Sequence, residues 1–169
     1  SIALRDESWH MLESGRYLER SENVVRLLQS VGRIAPDQRK ASYAYVAALL
    51  KSVGGYEAFR RLEQEDMTLE GVSRFLVLQD SFPRSAHFSL AEFELHLKAM
   101  RREGDKPSSA LEKTIRLAGK ARSELGWLDR NDITLDSLNS VLQQLLTTNG
   151  RLGEAMASIF FSPGREVTA

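Results

Sequence analysis

Arg16, Glu19, Arg20 and Asn23 recur at helical spacing near the start of the chain. Residues of these types could hold an anion. A guanidinium presents paired donors that match a carboxylate or phosphate, and a nearby glutamate can orient it. At about 100° per residue, Arg16, Glu19 and Asn23 fall within about 40° of Leu12. Trp9 and Leu27 lie about 60° round on the Arg16 side, with Arg20 just beyond. Charged groups interleaved with a tryptophan and leucines are expected on a packed face, where unpaired charge is costly. Two readings follow. One is a cleft that binds a carboxylate or phosphate; the other is an interhelical network of salt bridges and hydrogen bonds that fixes how the helix docks. A second, weaker anion candidate is Arg84 with Ser85, after Pro83 at an expected helix start, where the alternative is ordinary capping.

Other chemistries find less support. Glu7-Ser8-Trp9-His10 has the Glu-x-x-His step that di-iron bundles use twice, but it occurs once here. His87 and His96 lie on a later helix, with Glu92 four residues before His96, and no metal is expected. The chain has no cysteine, hence no thiolate nucleophile, thiolate metal site or disulfide. It lacks a Gly-x-Ser-x-Gly elbow and a Gly-x-x-x-x-Gly-Lys phosphate loop. No catalytic residue is singled out, no cofactor is expected, and a non-catalytic role is the expectation.

The elements that must position these residues are helices. Of 169 residues, 42% are hydrophobic and 27% charged, as in an ordinary globular domain. Lysine plus arginine number 23 and so do aspartate plus glutamate, which leaves no global field to attract nucleic acid or an anionic membrane. No apolar run is long enough to span a bilayer, and the first residues do not form a signal peptide. A cytoplasmic protein is expected.

The first helix should run to about Val31 and stop at Gly32, with Pro36 beyond. A second spans Ala41 to Val53 and breaks at Gly54-Gly55, and a shorter piece covers Tyr56 to Leu62. Thr68 is a candidate N-cap for a helix bearing Leu69, Val72, Phe75 and Leu76. Pro83 suits the first position of the next helix, which carries Leu90, Phe93, Leu97 and Met100 and ends near Gly104. Another opens at Pro107-Ser108-Ser109 with the stripe Leu111, Ile115, Ala118 and Leu125. It closes at Gly126 and the Asp129-Arg130-Asn131-Asp132 turn. The last has the cleanest period, Leu135, Leu138, Leu142, Leu145, Asn149, Leu152, Met156 and Ile159. Asn149, flanked by Gly150 and Gly153, suggests a kink or helix end. The expectation is therefore an all-α bundle of six to seven helices with short connections, one domain over residues 1–162 and a flexible tail over 163–169.

The run Gly15-Arg16-Tyr17-Leu18-Glu19-Arg20-Ser21-Glu22-Asn23-Val24-Val25-Arg26-Leu27-Leu28 resembles the bacterial Alpha-E domain family, a helical family named for its Glu-Arg motif. The segments Tyr56-Glu57-Ala58-Phe59-Arg60-Arg61 and Arg74-Phe75-Leu76-Val77-Leu78-Gln79-Asp80-Ser81-Phe82-Pro83-Arg84-Ser85 are similar to later parts of it. The order matches the family's C-terminal half, and the likeness thins beyond Leu97. Longer members carry an earlier half with its own such segment, so a face built to meet that half would be open to a partner or a homodimer. Such domains are typically encoded beside, or fused to, ATP-grasp ligases and transglutaminase-like proteins. The resemblance thus implies a helical interaction or scaffold domain in a peptide ligation or modification system, with those proteins as partners. The alternative is a binding or enzymatic domain whose arginine–glutamate cluster holds a carboxylate or phosphate. Carried over by residue, the resemblance covers only the naming motif, at Arg16, Glu19 and Arg20.

Overall fold

The computed structural model describes residues 2–32, 42–102, 104, 106 and 108–161. Pro36, Pro107 and the tail expected over 163–169 lie outside them. The described residues form seven α-helices and no strand: α1 (Ile2–Gly32), α2 (Tyr43–Ser52), α3 (Tyr56–Leu62), α4 (Leu69–Leu78), α5 (Ala86–Ala99), α6 (Ser109–Trp127) and α7 (Leu138–Phe160). A 3-10 turn, Arg130–Asp132, precedes α7.

Four long helices close a ring in which α1 touches α5 and α7, while α6 completes it against α5 and α7. Neighbours run antiparallel. Glu7, His10 and Tyr17 of α1 meet Arg102, just past α5, and His96 and Phe88 on it, in that order. Met156 and Gly153 of α7 lie against Gly15 and Leu18, and Asn149 meets Ser21. Glu94 and Arg101 likewise pair with Arg122 and Glu112 across α5 and α6. The core between them is mainly aliphatic, with Val25, Leu28, Leu90, Leu97, Leu142 and Leu152 among its most buried side chains and Phe93 of α5 fully buried beside them.

Helices α2, α3 and α4 form a cap at the end of the bundle where α1 finishes and α5 begins. Gly54, at φ 66°, turns the chain out of α2 in a left-handed conformation that suits glycine. A Cβ on Gly55 would stand 3.1 Å from the Phe82 ring, so a side chain there would require the ring to give by a few tenths of an ångström. Phe75 sits between Phe59 (edge-on, centroids 5.3 Å apart) and Phe82 (stacked, 4.9 Å), which gives the cap its own aromatic core. Thr68 caps α4 by accepting from Gly71 N at 3.1 Å, as its position suggests.

Three local expectations need correction. Pro83 is not the first residue of α5; it lies in the preceding turn, and Ser85 is the N-cap. The α7 helix does not end at Asn149 but runs through it to Phe160. Asn149 is buried, and its Nδ2 donates to Ser21 Oγ at 3.1 Å, so the polar side chain is satisfied by the facing helix. The third concerns the packed face of α1, described below. Asn149→Ala should cost about 1–2 kcal/mol by stranding buried Ser21, and Asn149→Ala with Ser21→Ala less than the sum of the two singles. Urea unfolding of the four proteins checks this; strict additivity would show that the pair does not interact.

Candidate functional site

The inward face of α1 is centred on Ser14, Leu18, Ser21, Val25 and Leu28, all buried. It is not the face centred on Leu12. The hydroxyls of both serines are satisfied: Ser14 donates to His10 O at 2.8 Å and Ser21 bonds Asn149. Arg16, Glu19, Arg20 and Asn23 are therefore exposed rather than packed, together with Trp9 at 53% and Leu12 at 67% of their free surface. This corrects the expected interhelical network. Arg16 pairs at 3.1 Å with Glu13 of its own helix, and Arg26 does the same with Glu22 at 2.9 Å. Among the described residues no salt bridge ties Glu19 to another helix. Exposed pairs within one helix stabilise it by only about 0.3–0.5 kcal/mol, so the fold does not depend on these charges.

The outer face of α1 thus presents two large apolar side chains beside a row of charged and amide groups. Glu19-Arg20, the chain's single Glu-Arg dipeptide, is at its middle. Arg20 lies over the Tyr17 ring, its Cζ 5.0 Å from the centroid, which holds the guanidinium towards α5.

On that side the two anion candidates come together. A half-open cleft of about 460 Å³ at the junction of bundle and cap is lined by Arg20, Asn23, Val24 and Leu27 of α1, by Ser52 and Val53 at the end of α2, and by Arg84. Arg16 and Glu19 do not reach it. Nor does Ser85, which is fully buried: its Oγ accepts from Phe88 N at 3.0 Å and donates to Gln79 O. That hydroxyl is committed to capping. A larger groove, about 690 Å³, runs between α6 and α7 over Leu125, Val141 and Leu145 and contains none of the candidate residues.

Two clusters were not legible as units in the sequence. His10 and His96 meet across α1 and α5, their Nδ1 atoms 2.9 Å apart, so one ring donates and the other accepts. Trp9 meets His96 edge-on at 5.4 Å and Tyr17 stacks on it at 5.6 Å, while Glu92 lies 3.7 Å from its Nε2. Among the described residues no group of three histidine, aspartate or glutamate side chains could hold a metal ion. The second cluster clamps the cap to the start of α7. Arg74 donates to Glu65 at 2.9 Å, Glu70 at 2.6 Å and the Ile133 carbonyl at 2.8 Å, and Arg130 joins Glu63 and Glu65. Only the Glu70–Arg74 step, at four residues, could have been read from spacing.

Both histidine burial and carboxylate pairing make stability depend on pH in the same sense. Burial, and then the neighbouring His10, lower His96 below its ordinary 6.5 against the pull of Glu92 and Glu13. Burial also lowers His87. Burial pushes the Glu94 carboxyl up, but Arg122 and Lys98 outweigh it and hold it below its ordinary 4.5. In each case the unfolded chain binds more protons. Stability is then full above about pH 6.5, falls as pH drops through the histidines' folded values, and falls again below about pH 4.5 as Glu94 protonates. Urea midpoints followed from about pH 8 to about pH 4 should show both declines, and His96→Gln should flatten the upper one. A midpoint constant between pH 7 and pH 5 would contradict the histidine assignment.

A family model described as a predicted alpha-helical domain with a conserved ER motif matches residues 1–161. The match continues well past Leu97, where the motif resemblance thins. No curated protein matches the chain, and no solved structure does. Among the described residues no helix is long and apolar enough to cross a membrane.

Proposed function

The chain belongs to the Alpha-E family, and on that premise we propose that it is a non-catalytic interaction domain whose outer α1 face docks a protein partner. The observation that carries this reading is that the naming motif is exposed and, among the described residues, makes no salt bridge to another helix. Charges that do little for the fold are free to serve recognition. The accompanying groups are of the right kind: tryptophan and arginine are enriched among residues that dominate protein interfaces, and Trp9, Leu12, Arg16 and Arg20 share this face. The proposed partner is an ATP-grasp-type peptide or amide ligase, with a transglutaminase-like protein in the same system. The resemblance supplies that identity. The ligase would carry the ATP chemistry and the transglutaminase-like protein the cysteine, neither of which has a signature in this chain.

Trp9 reports on the face directly. The chain has two tryptophans, and Trp127, 86% exposed at the end of α6, can be replaced by phenylalanine to leave Trp9 alone. Adding the ATP-grasp protein encoded nearest the gene should blue-shift Trp9 fluorescence and protect it from acrylamide. A homodimer over the same face would protect Trp9 without the ligase, in step with protein concentration. Quenching that neither the ligase nor concentration changes would refute a docking face here.

A further inference from the structure

We infer that the cleft between bundle and cap binds the C-terminal residue of a peptide, carboxylate inwards, through Arg20 and Arg84. Arg20 comes from the middle of α1 and Arg84 from the turn before α5, yet both line the same space. Among the described residues neither has a carboxylate partner, and no acidic side chain is among the described residues that line the cleft. This contrasts with Arg74, Arg122 and Arg130, each held by glutamates. Two guanidinium groups lining a cavity with no acidic side chain among its described residues favour an anion, and their planar forks suit a carboxylate or a phosphate.

The remaining lining selects between these. Ser52 donates its hydroxyl proton to Leu49 O at 2.6 Å, so towards the cleft its oxygen can only accept. A peptide C-terminus brings an amide N–H next to its carboxylate; inorganic phosphate at neutral pH is mainly an acceptor. The Asn23 amide can serve either an N–H or a C=O of the same peptide unit. Val24, Leu27 and Val53 give the cleft an apolar wall that suits an aliphatic C-terminal side chain and offers a phosphate nothing. A volume of about 460 Å³ is within the usual range for a small-ligand site. The inference shares Arg20 with the docking face but can fail separately from it, because Arg84, Ser52 and Val53 are not on that face and the ligase need not be present.

The test is a titration of the isotope-labelled full chain, followed by amide NMR shifts, with N-acetyl-leucine, N-acetyl-leucinamide and inorganic phosphate as separate probes. N-acetyl-leucine should shift the amides of Val24, Ser52 and Val53 saturably. The amidated probe and phosphate should each bind about tenfold or more weakly, and Arg84→Gln, at an exposed position, should weaken N-acetyl-leucine about tenfold with the rest of the spectrum unchanged. Equal affinity for the amide would overturn the carboxylate assignment. Phosphate binding as tight as N-acetyl-leucine would make this a phosphate site. No saturable shift at these amides with any probe, or an Arg84→Gln protein that binds undiminished, would remove the site altogether.

Discussion

Arg74→Ala should destabilise the protein by about 3 kcal/mol, the largest effect expected of any single polar substitution. The Arg74 side chain is only 15% exposed and its guanidinium serves three acceptors on three segments: Glu65 before α4, Glu70 on α4, and the Ile133 carbonyl before α7. Truncation leaves the Ile133 carbonyl without its donor and Glu70 with only the Leu135 N–H, 3.2 Å from its other oxygen. Glu65 keeps Arg130 at 2.8 Å, which limits the loss there. The partners are about a third exposed, so the cost falls at the lower end for a buried charge network. Arg74→Lys should recover part of it, because an ammonium can reach one or two of these acceptors but cannot span all three. Urea unfolding measures both variants. A loss below about 1 kcal/mol for Arg74→Ala would mean that the cap is held by its aromatic core and not by this clamp.

Trp9→Ala should weaken ligase binding about 30-fold, roughly 2 kcal/mol, while changing stability by about 1 kcal/mol or less. The asymmetry follows from where the ring lies. Its edge rests on His10 at 4.9 Å and His96 at 5.4 Å, yet 53% of the residue faces solvent. Folding therefore uses only part of its surface, and a partner can bury the rest. At this chain length a stability change of that size moves the melting temperature by about 2–4 °C. Isothermal titration calorimetry with the ATP-grasp protein reads the affinity, and a thermal melt provides the control. A variant that binds as tightly as the parent would remove Trp9 from the interface.

Much of the fold could be read from the chain because helix period and caps are local. Tyr56–Leu62, the Thr68 cap and the Leu111, Ile115, Ala118 and Leu125 stripe are where the pattern places them. The packed face of the first helix departs from its apolar pattern for a physical reason. Its inward face uses Ser14 and Ser21, which count as polar in a periodicity argument but are fully buried with their hydroxyls bonded. Its two most conspicuous apolar residues, Trp9 and Leu12, point outwards. The same holds for Asn149, since nothing near it in sequence reveals that Ser21 will face it. Sites assembled across helices were out of reach for the same cause. Arg20 and Arg84 were separately legible as anion-binding types, and His10 and His96 as polar groups on two helices. Their meeting depends on how the cap and α5 pack on α1, which is long-range information.

The measurement that bears most directly on the docking face is a pair of numbers for Glu19→Ala and Arg16→Ala: affinity for the ATP-grasp protein and urea midpoint. Stability should stay within about 0.5 kcal/mol of the parent, because these side chains are exposed and, among the described residues, tie α1 to no other helix. Affinity should fall about tenfold or more for at least one of them. A stability loss of a few kcal/mol with affinity unchanged would show that the Glu-Arg motif holds the fold together, and would contradict the account.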